Sequence, residues 1–536
     1  GRLTLTMLDA LGSKVDVHEI DREAMLDAIG IVQKIGASSS DVAEQLLAQT
    51  PAGLGWVLVA GAGERLAKWL PAFQEVGIEV LVEAIDLKEA VAAEKLGADA
   101  IVLKGHEAPG RVASETTFIL LQRWQQHVAK KGGESIPVFV QGGIGLHTAA
   151  ACAAGGAAGA VLDDQLLLAR EANVSPRSEQ LLSAFDGSQT AFLGGEFGAA
   201  YRVYSHPAVP ASIALAKQAQ TIAAAEATDD AKRREWQQAI AEHVQNAPAG
   251  ELCFVGQDAT AAATLAERHV TVAGIIDAVR KQVADSVATA RQLKPLAEDA
   301  PLAESHSTRF PILQGPMTRV SDTAAFAKSV ADAGALPFLA LALLRKAETE
   351  KLLQETRDLV GDASWGVGIL GFLPQEIRNE QIEAILETRP PFALIAGGRP
   401  DQAKQLEDEG IATYLHVPSP GLLRMFLKDG ARRFVFEGRE CGGHVGPRTS
   451  FALWDTMCEI LLAHLGPNGR GEDLHIVFAG GIHDALSASM VAAMAAPLAA
   501  RGVRIGVLMG TAYLFTQEAV DGGAIVPRFQ QEAMRC

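Results

Sequence analysis

The sequence predicts an α/β protein with tandem TIM-barrel-like (β/α)8 domains, the first degenerate and N-terminally incomplete, joined by a helical region. Short runs rich in Val and Ile alternate with Ala- and Leu-rich stretches, as is typical of parallel strands buried on both faces and the helices between them. The alternation occurs in two series that share motifs, and 536 residues exceed the size of one ordinary core.

The second series contains eight strand candidates. They are FPILQG, ALPFLALA, WGVGILGF, FALIAGG, ATYLHVPS, RFVFEG, HIVFAGG and RIGVLMG. Eight strand–helix units in roughly 230 residues match the size of a TIM barrel. Residues 301–536 are therefore predicted to form one complete barrel.

The first series occupies residues 1–185 and supplies five or six units. Its strand candidates are WVLVAG, IEVLVEAI, DAIVLKG, IPVFVQGG and AVLDD, and RLTLTML at residues 2–8 is the earliest one. We expect its opening units to lie before residue 1. The strand rhythm stops in residues 186–300, whose longest segments have the pattern of amphipathic helices, so this region is predicted to be a helical connector or lid.

Composition excludes some functions. The formal charge is −17, which argues against binding to nucleic acid and to anionic membranes, because both need a basic surface. The five cysteines are scattered and form no CxxC pair, which predicts a reducing cytoplasm without disulfides and without a zinc site. The chain also lacks a run of about 18 apolar residues, the length that a membrane span requires.

Two glycine-containing strand ends predict a phosphate site in the second barrel. Gly480 and Gly481 follow Ala479 at the end of the seventh strand, and Gly510 and Thr511 end the eighth. Glycine lets backbone N–H groups approach a phosphate, and in TIM barrels the loops after strands seven and eight often share one phosphate site. Two glycine turns without a ligand remain the alternative.

The segment GRECGGHVG follows the sixth strand and carries one histidine. Gly442, Gly443 and Gly446 leave the backbone uncovered around His444, so the imidazole could reach a flat ligand and titrate near neutral pH. A surface histidine in a flexible loop is the other interpretation. An earlier segment, LKGHEAPGRVASETTF, aligns with FEGRECGGHVGPRTSF without a gap and places Arg111 opposite His444.

The motifs PILQGPM, ECGGHVG, FAGGI and MGTAYLFT, in this order, resemble the nitronate monooxygenase family, formerly called 2-nitropropane dioxygenase, which includes FMN-dependent enoyl-ACP reductases. The branch attached to polyketide synthases is the most similar. The resemblance covers residues 310–536 well and residues 50–185 as a weaker copy. Where family members often have asparagine in the third strand, this chain has Gly368.

The resemblance implies FMN at the mouth of the second barrel, with Gln314–Met317 along the isoalloxazine ring and His444 as the catalytic histidine. The cofactor-binding residues it implies are Gln314, Gly315, Pro316, Met317, Gly442, Gly443, Ala479, Gly480, Gly481, Gly510 and Thr511. No metal is expected. Either a nitronate is oxidised, or NADH or NADPH supplies the electrons for reduction of an enoyl thioester.

The first copy is predicted to have lost the cofactor. Asp163 and Asp164 stand where the second copy has Gly510 and Thr511, and carboxylates repel a phosphate. Arginine, at Arg111, cannot shuttle protons near pH 7. This copy is then a structural or docking barrel, or it binds a different anion through Arg111 and Lys104. In the region between the barrels, Asp258 of GQDA either caps a helix or belongs to a lid.

The predicted partners are a small-molecule or acyl-carrier-protein-bound thioester and other domains of a polyketide or fatty-acid megasynthase. Four arginines close in sequence to His444 could contact a carrier protein or its phosphopantetheine phosphate; they are Arg432, Arg433, Arg439 and Arg448. Pairing with nearby glutamates is the simpler alternative. The alternative to an enzyme is a protein in which both barrels serve as a non-catalytic scaffold within a megasynthase.

Overall fold

The computed structural model describes residues 6–7, 31–35, 40–50, 54–61, 63–248, 250–443 and 445–535. By its internal contacts the chain divides into two compact units, Gly1–Val283 and Ala284–Cys536. Among the described residues, no helix is both long enough and apolar enough to cross a membrane.

The first unit contains the first ten strands and most of the first ten helices. The strands are β1 Thr6–Met7, β2 Ile31–Ile35, β3 Leu54–Ala60, β4 Glu79–Ala84, β5 Ala100–Lys104, β6 Gly110–Arg111, β7 Val138–Gln141, β8 Gly159–Leu162, β9 Thr190–Leu193 and β10 Tyr201–Tyr204. The helices are α1 Ser40–Ala48, α2 Glu64–Glu75, α3 Leu87–Leu96, α4 Thr117–Lys130, α5 Thr148–Ala154, α6 Pro176–Ser183, α7 Pro210–Ala224, α8 Asp229–Gln245, α9 Ala262–His269 and α10 Val272–Leu293, the last of which spans the division.

Seven of these strands form one sheet in the order β1-β8-β7-β5-β4-β3-β2. The strands β2, β3, β4, β5, β7 and β8 are parallel, as the strand–helix alternation predicts. The expected first strand, RLTLTML, departs from the pattern: Thr6 and Met7 pair antiparallel with Leu162 and Val161 of β8. This described pair therefore does not supply a parallel barrel strand.

The region predicted to be helical, residues 186–300, also contains a β-hairpin. Strands β9 and β10 pair antiparallel, and β10 pairs in turn with β6 to give a three-stranded sheet. Their sequences, TAFL and YRVY, are rich in residues that favour strands. Trp236 of α8 is fully buried beside them and donates a hydrogen bond from Nε1 to the Ala199 carbonyl at 2.7 Å.

The second unit is a closed barrel of eight parallel strands, which confirms the eight predicted ones. The strands are β11 Ile312–Gln314, β12 Leu336–Ala340, β13 Gly366–Leu370, β14 Phe392–Ala396, β15 Ala412–His416, β16 Arg433–Glu437, β17 His475–Ala479 and β18 Arg504–Met509. The helices are α11 Pro301–His306, α12 Ala324–Asp332, α13 Lys346–Val360, α14 Gln375–Thr388, α15 Pro400–Glu407, α16 Pro420–Lys428, α17 Ser450–Leu465, α18 Ala485–Ala500, α19 Gln517–Asp521 and α20 Pro527–Ala533.

Alternate residues of the strands fill the barrel. Leu394, Tyr414, Val435 and Val477 belong to one buried core cluster, and because side chains alternate along a strand, residues two positions further on also face inward. Below this layer, α11 closes the amino-terminal end, where His306 Nε2 lies 2.7 Å from the Tyr414 hydroxyl. The carboxyl ends of the strands, where TIM barrels hold their active sites, carry the candidate site.

Candidate active site

The segment Gln314–Met317 begins at the end of β11 and is fixed by its neighbours. The buried amide of Gln314 accepts a hydrogen bond from Phe338 N at 3.3 Å and donates one to the Gly315 carbonyl. Gly315 N donates to the Met509 carbonyl at 2.9 Å. The Gln314 side chain thus joins β11 to β12, and the segment presents Pro316 and Met317, both half-buried, to the mouth.

Pro316 explains the glycine in the third strand. A Cβ atom at Gly368 would overlap Pro316 Cβ and Cγ. A side chain at this position would therefore require Pro316 to shift.

The turn after β17 requires glycine. Gly480 has φ +125° and Gly481 has φ +71°, values that side-chain-bearing residues rarely adopt. A Cβ at Gly480 would lie 2.6 Å from Ser450 Oγ and 3.3 Å from Cys441 Sγ. Ala479, the last residue of β17, is fully buried below the turn.

The eighth strand ends in a short 3-10 helix. Gly510 is half-buried, Thr511 is exposed, and the helix runs from Thr511 to Phe515. Tyr513 N donates to the Gly510 carbonyl at 3.0 Å, and the N–H groups before it lie at the start of a helix, where they can bind an anion. Ala479 pairs with Leu508, so the structure brings the two glycine-containing strand ends next to each other.

The glycine-rich loop after β16 is anchored at its base. Glu440 accepts hydrogen bonds from Ser450 N at 2.7 Å and Ser450 Oγ at 2.6 Å. Gly442 and Gly443 are exposed, and Gly443 has φ +90°. His444 lies outside the described residues, so its catalytic role stays a prediction.

The first copy of this segment has the same local geometry. Gly438 N donates to the Ala479 carbonyl at 3.1 Å, and its counterpart Gly105 N donates to the Gln141 carbonyl at 2.9 Å. Glu107 accepts from Thr117 N at 3.2 Å, as Glu440 does from Ser450 N. The turn after β7 also keeps its glycines, with φ +108° at Gly142 and +67° at Gly143. The repeat in the sequence is thus a repeat in structure.

The two copies differ at the end of the last strand. In the first unit Asp163 and Asp164 follow β8, and their carboxylates lie with that of Asp258 so that one oxygen of each is within 4.8 Å of the others. Gly256 N donates to Asp164 Oδ2, and Gln165 Nε2 donates to Asp258 Oδ2 at 3.0 Å. Burial raises the pKa of Asp164 and of Asp258, and the neighbouring carboxylates raise both further.

Asp258 is a buried residue of a short helix. It is 2% exposed, in the 3-10 helix Gln257–Ala261, and Gln257 N donates to the Glu107 carbonyl at 2.8 Å. The GQDA segment covers the strand ends of its own unit with a third carboxylate, so a phosphate would meet repulsion there.

The cations suggested as anion contacts in the first unit are already paired. Both terminal nitrogens of Arg111 contact the Glu89 carboxylate, and Lys104 Nζ lies 3.4 Å from Glu83 Oε2, with both side chains buried. An anion site at Arg111 and Lys104 would have to displace these carboxylates.

The four arginines do not form one patch around the glycine-rich loop. Arg432 and Arg433 lie at the amino-terminal end of β16, away from the loop, and pair with Asp473 at 2.9 Å and Glu407 at 2.7 Å. Arg448 is 4% exposed. Among the four, Arg439 alone is both on the loop and exposed. The four arginines therefore do not form a single basic surface, because Arg432 and Arg433 lie at the opposite end of β16 from the loop; contact with a carrier protein stays a prediction.

Sequence reasoning missed a polar pair inside the mouth. His416 ends β15 and Glu437 ends β16, and both lie two positions beyond core residues of their strands, so both face the barrel interior. His416 Nδ1 lies 2.9 Å from Glu437 Oε2, and the two side chains are 11% and 8% exposed. The strand alternation could have revealed the pair.

Comparisons with known proteins agree with these motifs. A family model described as nitronate monooxygenase matches residues 45–279 and 375–524. A (3aS,4S,5R,7aS)-5-hydroxy-7a-methyl-1-oxo-octahydro-1H-indene-4-carboxyl-CoA dehydrogenase of Rhodococcus jostii (strain RHA1) is 28% identical over 228 residues, or 41% of this chain. The chain spans 56% of the length of this relative.

Three solved structures resemble parts of the chain. A mutant form of FabK from Thermotoga maritima is 24% identical with a TM-score of 0.36, covering 44% of this chain and 71% of its own. Nitroalkane oxidase from Streptomyces ansochromogenes is 19% identical with a TM-score of 0.33, covering 40% and 69%. The enoyl reductase domain of MlnA from the macrolactin cluster of Bacillus amyloliquefaciens is 16% identical with a TM-score of 0.34, covering 44% and 60%.

The matched residues include both copies of the glycine turn and the ends of β14 to β18 in the second barrel, and together they exceed half of the chain. This protein therefore belongs to the nitronate monooxygenase family.

Proposed function

We propose that this protein is an FMN-dependent oxidoreductase that reduces an enoyl thioester, as part of a polyketide or fatty-acid megasynthase. The observation that carries the proposal is the pair of adjacent strand ends in the second barrel, with Gly480 and Gly481 on one and Gly510 and Thr511 on the other. Their backbone N–H groups suit a phosphate, and a Cβ at Gly480 would fill the space beside Ser450 and Cys441.

Each part of the mouth has a task in this proposal. Backbone N–H groups at Gly480–Gly481 and Gly510–Thr511 would hold the FMN phosphate, and Pro316 and Met317 would contact the ring. When bound, FMN supplies two-electron transfer between a nicotinamide nucleotide and the substrate. His444, beside Gly442 and Gly443, orients the substrate or moves a proton.

Apolar side chains on the rim favour an acyl substrate. Leu343 is 68% exposed, Phe372 56%, Phe515 45% and Val445 36%. They follow β12, β13, β18 and β16, so all lie in segments at the carboxyl end of the barrel, and Phe515 ends the 3-10 helix there. Exposed apolar side chains grouped around one opening are typical of a binding site for an apolar ligand, which suits an acyl chain better than a small nitronate.

The Rhodococcus relative adds support, because its name describes a carboxyl-CoA substrate, which is a thioester. We therefore place enoyl thioester reduction first. Nitronate oxidation is the second candidate, favoured by the description of the matching family model.

Anaerobic spectroscopy of the purified protein separates these reactions. We expect NADH or NADPH to bleach the flavin absorbance, and an enoyl thioester to restore it without oxygen. If a nitronate bleaches the flavin, NAD(P)H does not, and only oxygen restores the colour, the reaction is nitronate oxidation. A protein that binds no flavin would instead be a scaffold.

A further inference from the structure

The pair His416 and Glu437 is enclosed but incompletely hydrogen-bonded. Nδ1 and Nε2 of His416 and Oε2 of Glu437 are buried atoms without a well-aligned hydrogen-bond partner among the described residues. The 2.9 Å contact between Nδ1 and Oε2 is therefore close but not linear. Buried polar atoms are normally hydrogen-bonded, and leaving one unpaired destabilises the protein, so this convergence points to a polar group of a ligand.

A histidine at the opposite end of the barrel shows how a structural histidine is satisfied. His475 Nδ1 lies 3.2 Å from the Tyr414 hydroxyl, and its Nε2 lies 3.2 Å from an Arg504 nitrogen. Both ring nitrogens of His475 therefore have partners. His416, one layer above Tyr414 on the same strand, has neither nitrogen satisfied in this way.

The neighbours of the pair on the flanking strands are small residues. The four consecutive strands β14 to β17 end in Ala396, His416, Glu437 and Ala479. Ala396 and Ala479 lie two positions beyond the core residues Leu394 and Val477, so both face inward. The imidazole and the carboxylate are thus flanked by methyl groups.

The first copy holds a different pair at the same two positions. Glu83 pairs in register with Val102, as His416 does with Val435, and Lys104 ends the next strand as Glu437 does. Glu83 and Lys104 form a buried ion pair, so each group has an oppositely charged partner in the first copy. An imidazole stands at this position in the second unit, whose last strand ends in Gly510 and Thr511.

We propose that His416 and Glu437 form the subsite for the thioester carbonyl of the substrate, an inference that rests on the proposed function. In its imidazolium form, His416 donates a hydrogen bond from Nε2 to the carbonyl oxygen, and its Nδ1–H faces the Glu437 carboxylate, which orients the ring. Negative charge develops on this oxygen when the conjugated double bond is reduced, and a donor fixed in a dry site stabilises that charge. His416 is then a specificity-determining residue for α,β-unsaturated thioesters.

The test compares two probes on the FMN-loaded full chain, by calorimetric titration without reductant. One probe is an enoyl-CoA, and the other is the thioether in which a methylene replaces the carbonyl. Hydrogen bonds involving a charged group correspond to about tenfold to a hundredfold in affinity, so the wild-type protein should prefer the thioester by about that factor. Repeating the thioester titration with a carrier-protein-bound substrate identifies which carrier is preferred.

The variant His416→Phe should abolish this preference by weakening thioester binding while leaving thioether binding within about threefold. His416→Gln, which keeps a donor, should retain part of the preference, and Glu437→Gln should reduce it. Tyr414→Phe is the matched control, since it removes a buried hydroxyl one layer below on the same strand and should keep the preference.

Equal weakening of both probes in His416→Phe would overturn the inference and make His416 a packing residue, as would a wild-type protein without preference for the thioester. A wild-type protein that binds neither flavin nor thioester would instead remove the proposed function, and the inference with it.

Discussion

At the scale of single residues, charge at the end of the last strand distinguishes the two copies. Gly510 and Thr511 leave backbone donors accessible in the second unit, whereas Asp163 and Asp164 stand in the first, with Asp258 against them. Three such carboxylates cannot all ionise without strong repulsion. Burial and their neighbours raise the pKa of Asp164 and Asp258, so protons relieve the repulsion in the folded protein.

We predict that the stability of the Asp258→Asn variant, relative to wild type, increases as the pH rises. Carboxyl groups of the unfolded chain titrate near pH 4, and the folded pKa values are higher. Their stabilising contribution is therefore complete below about pH 4 and is lost as the pH rises through the folded pKa. The unfolding temperature of the variant relative to wild type should increase between pH 5 and pH 8.

Glu134→Gln, at an exposed loop position, is the control and should change little over this range. A constant difference between Asp258→Asn and wild type would contradict the account. A wild-type protein stabilised by Ca²⁺ or Mg²⁺, with no such effect in the variant, would show that a cation rather than protons relieves the repulsion.

His444 is predicted to act in turnover and not in cofactor retention. In the sequence it follows Gly442 and Gly443, both exposed, and not the strand ends proposed to hold the phosphate. His444→Ala should keep its flavin and lose roughly a hundredfold or more in turnover, the usual scale for a positioned acid–base group. Flavin content and steady-state rates measure the two effects, and unchanged turnover would make His444 a surface residue.

At the scale of elements, helix α11 closes the barrel through buried histidines. Burial, with His475 and two nearby arginines, lowers the pKa of His306 to about 3, and burial with the same arginines lowers that of His475 to about 3. Histidine in the unfolded chain titrates near 6.5. The unfolded chain therefore takes up protons that the folded barrel excludes, and stability present above about pH 6.5 is lost as the pH falls.

We predict that His306→Phe reduces this acid sensitivity. The variant removes one buried group that must stay neutral and also the contact with the Tyr414 hydroxyl, so it should be no more stable than wild type at pH 7.5. Its unfolding free energy relative to wild type should rise between pH 7 and pH 4, as followed by denaturant titration. His464→Gln, at an exposed position, should not reproduce this trend; a pH-independent difference for His306→Phe would contradict the account.

The sequence predicted the regular elements better than the irregular contacts. Each barrel strand is a continuous apolar run, so all eight were visible. The hairpin of β9 and β10 was not, because both strands are four residues long and β10 pairs with β6, about 90 residues earlier in the chain. His416 and Glu437 looked like polar residues that end a strand; the alternation along each strand marks both as facing inward, and the pairing of β15 with β16 brings them together.

At the scale of the molecule, two copies of one segment make the same local hydrogen bonds but differ in the residues that follow their last strand. Gly105 and Gly438 make equivalent backbone bonds, and both glycine turns keep positive φ angles. In the second unit the glycine turn lies next to Gly510 and Thr511. In the first unit the equivalent residues are the carboxylic acids Asp163 and Asp164. The central claim that follows is one flavin per chain, held by the second unit.

The most direct test is the ratio of flavin to polypeptide, from absorbance of the flavin released on denaturation. We predict a ratio near one for the wild-type protein. It should fall to near zero when Gly510→Asp and Thr511→Asp copy the first unit's carboxylates, and stay near one when Asp163→Gly and Asp164→Thr make the reverse change. A wild-type ratio near two, or flavin retained by the variant carrying both Gly510→Asp and Thr511→Asp, would contradict the claim.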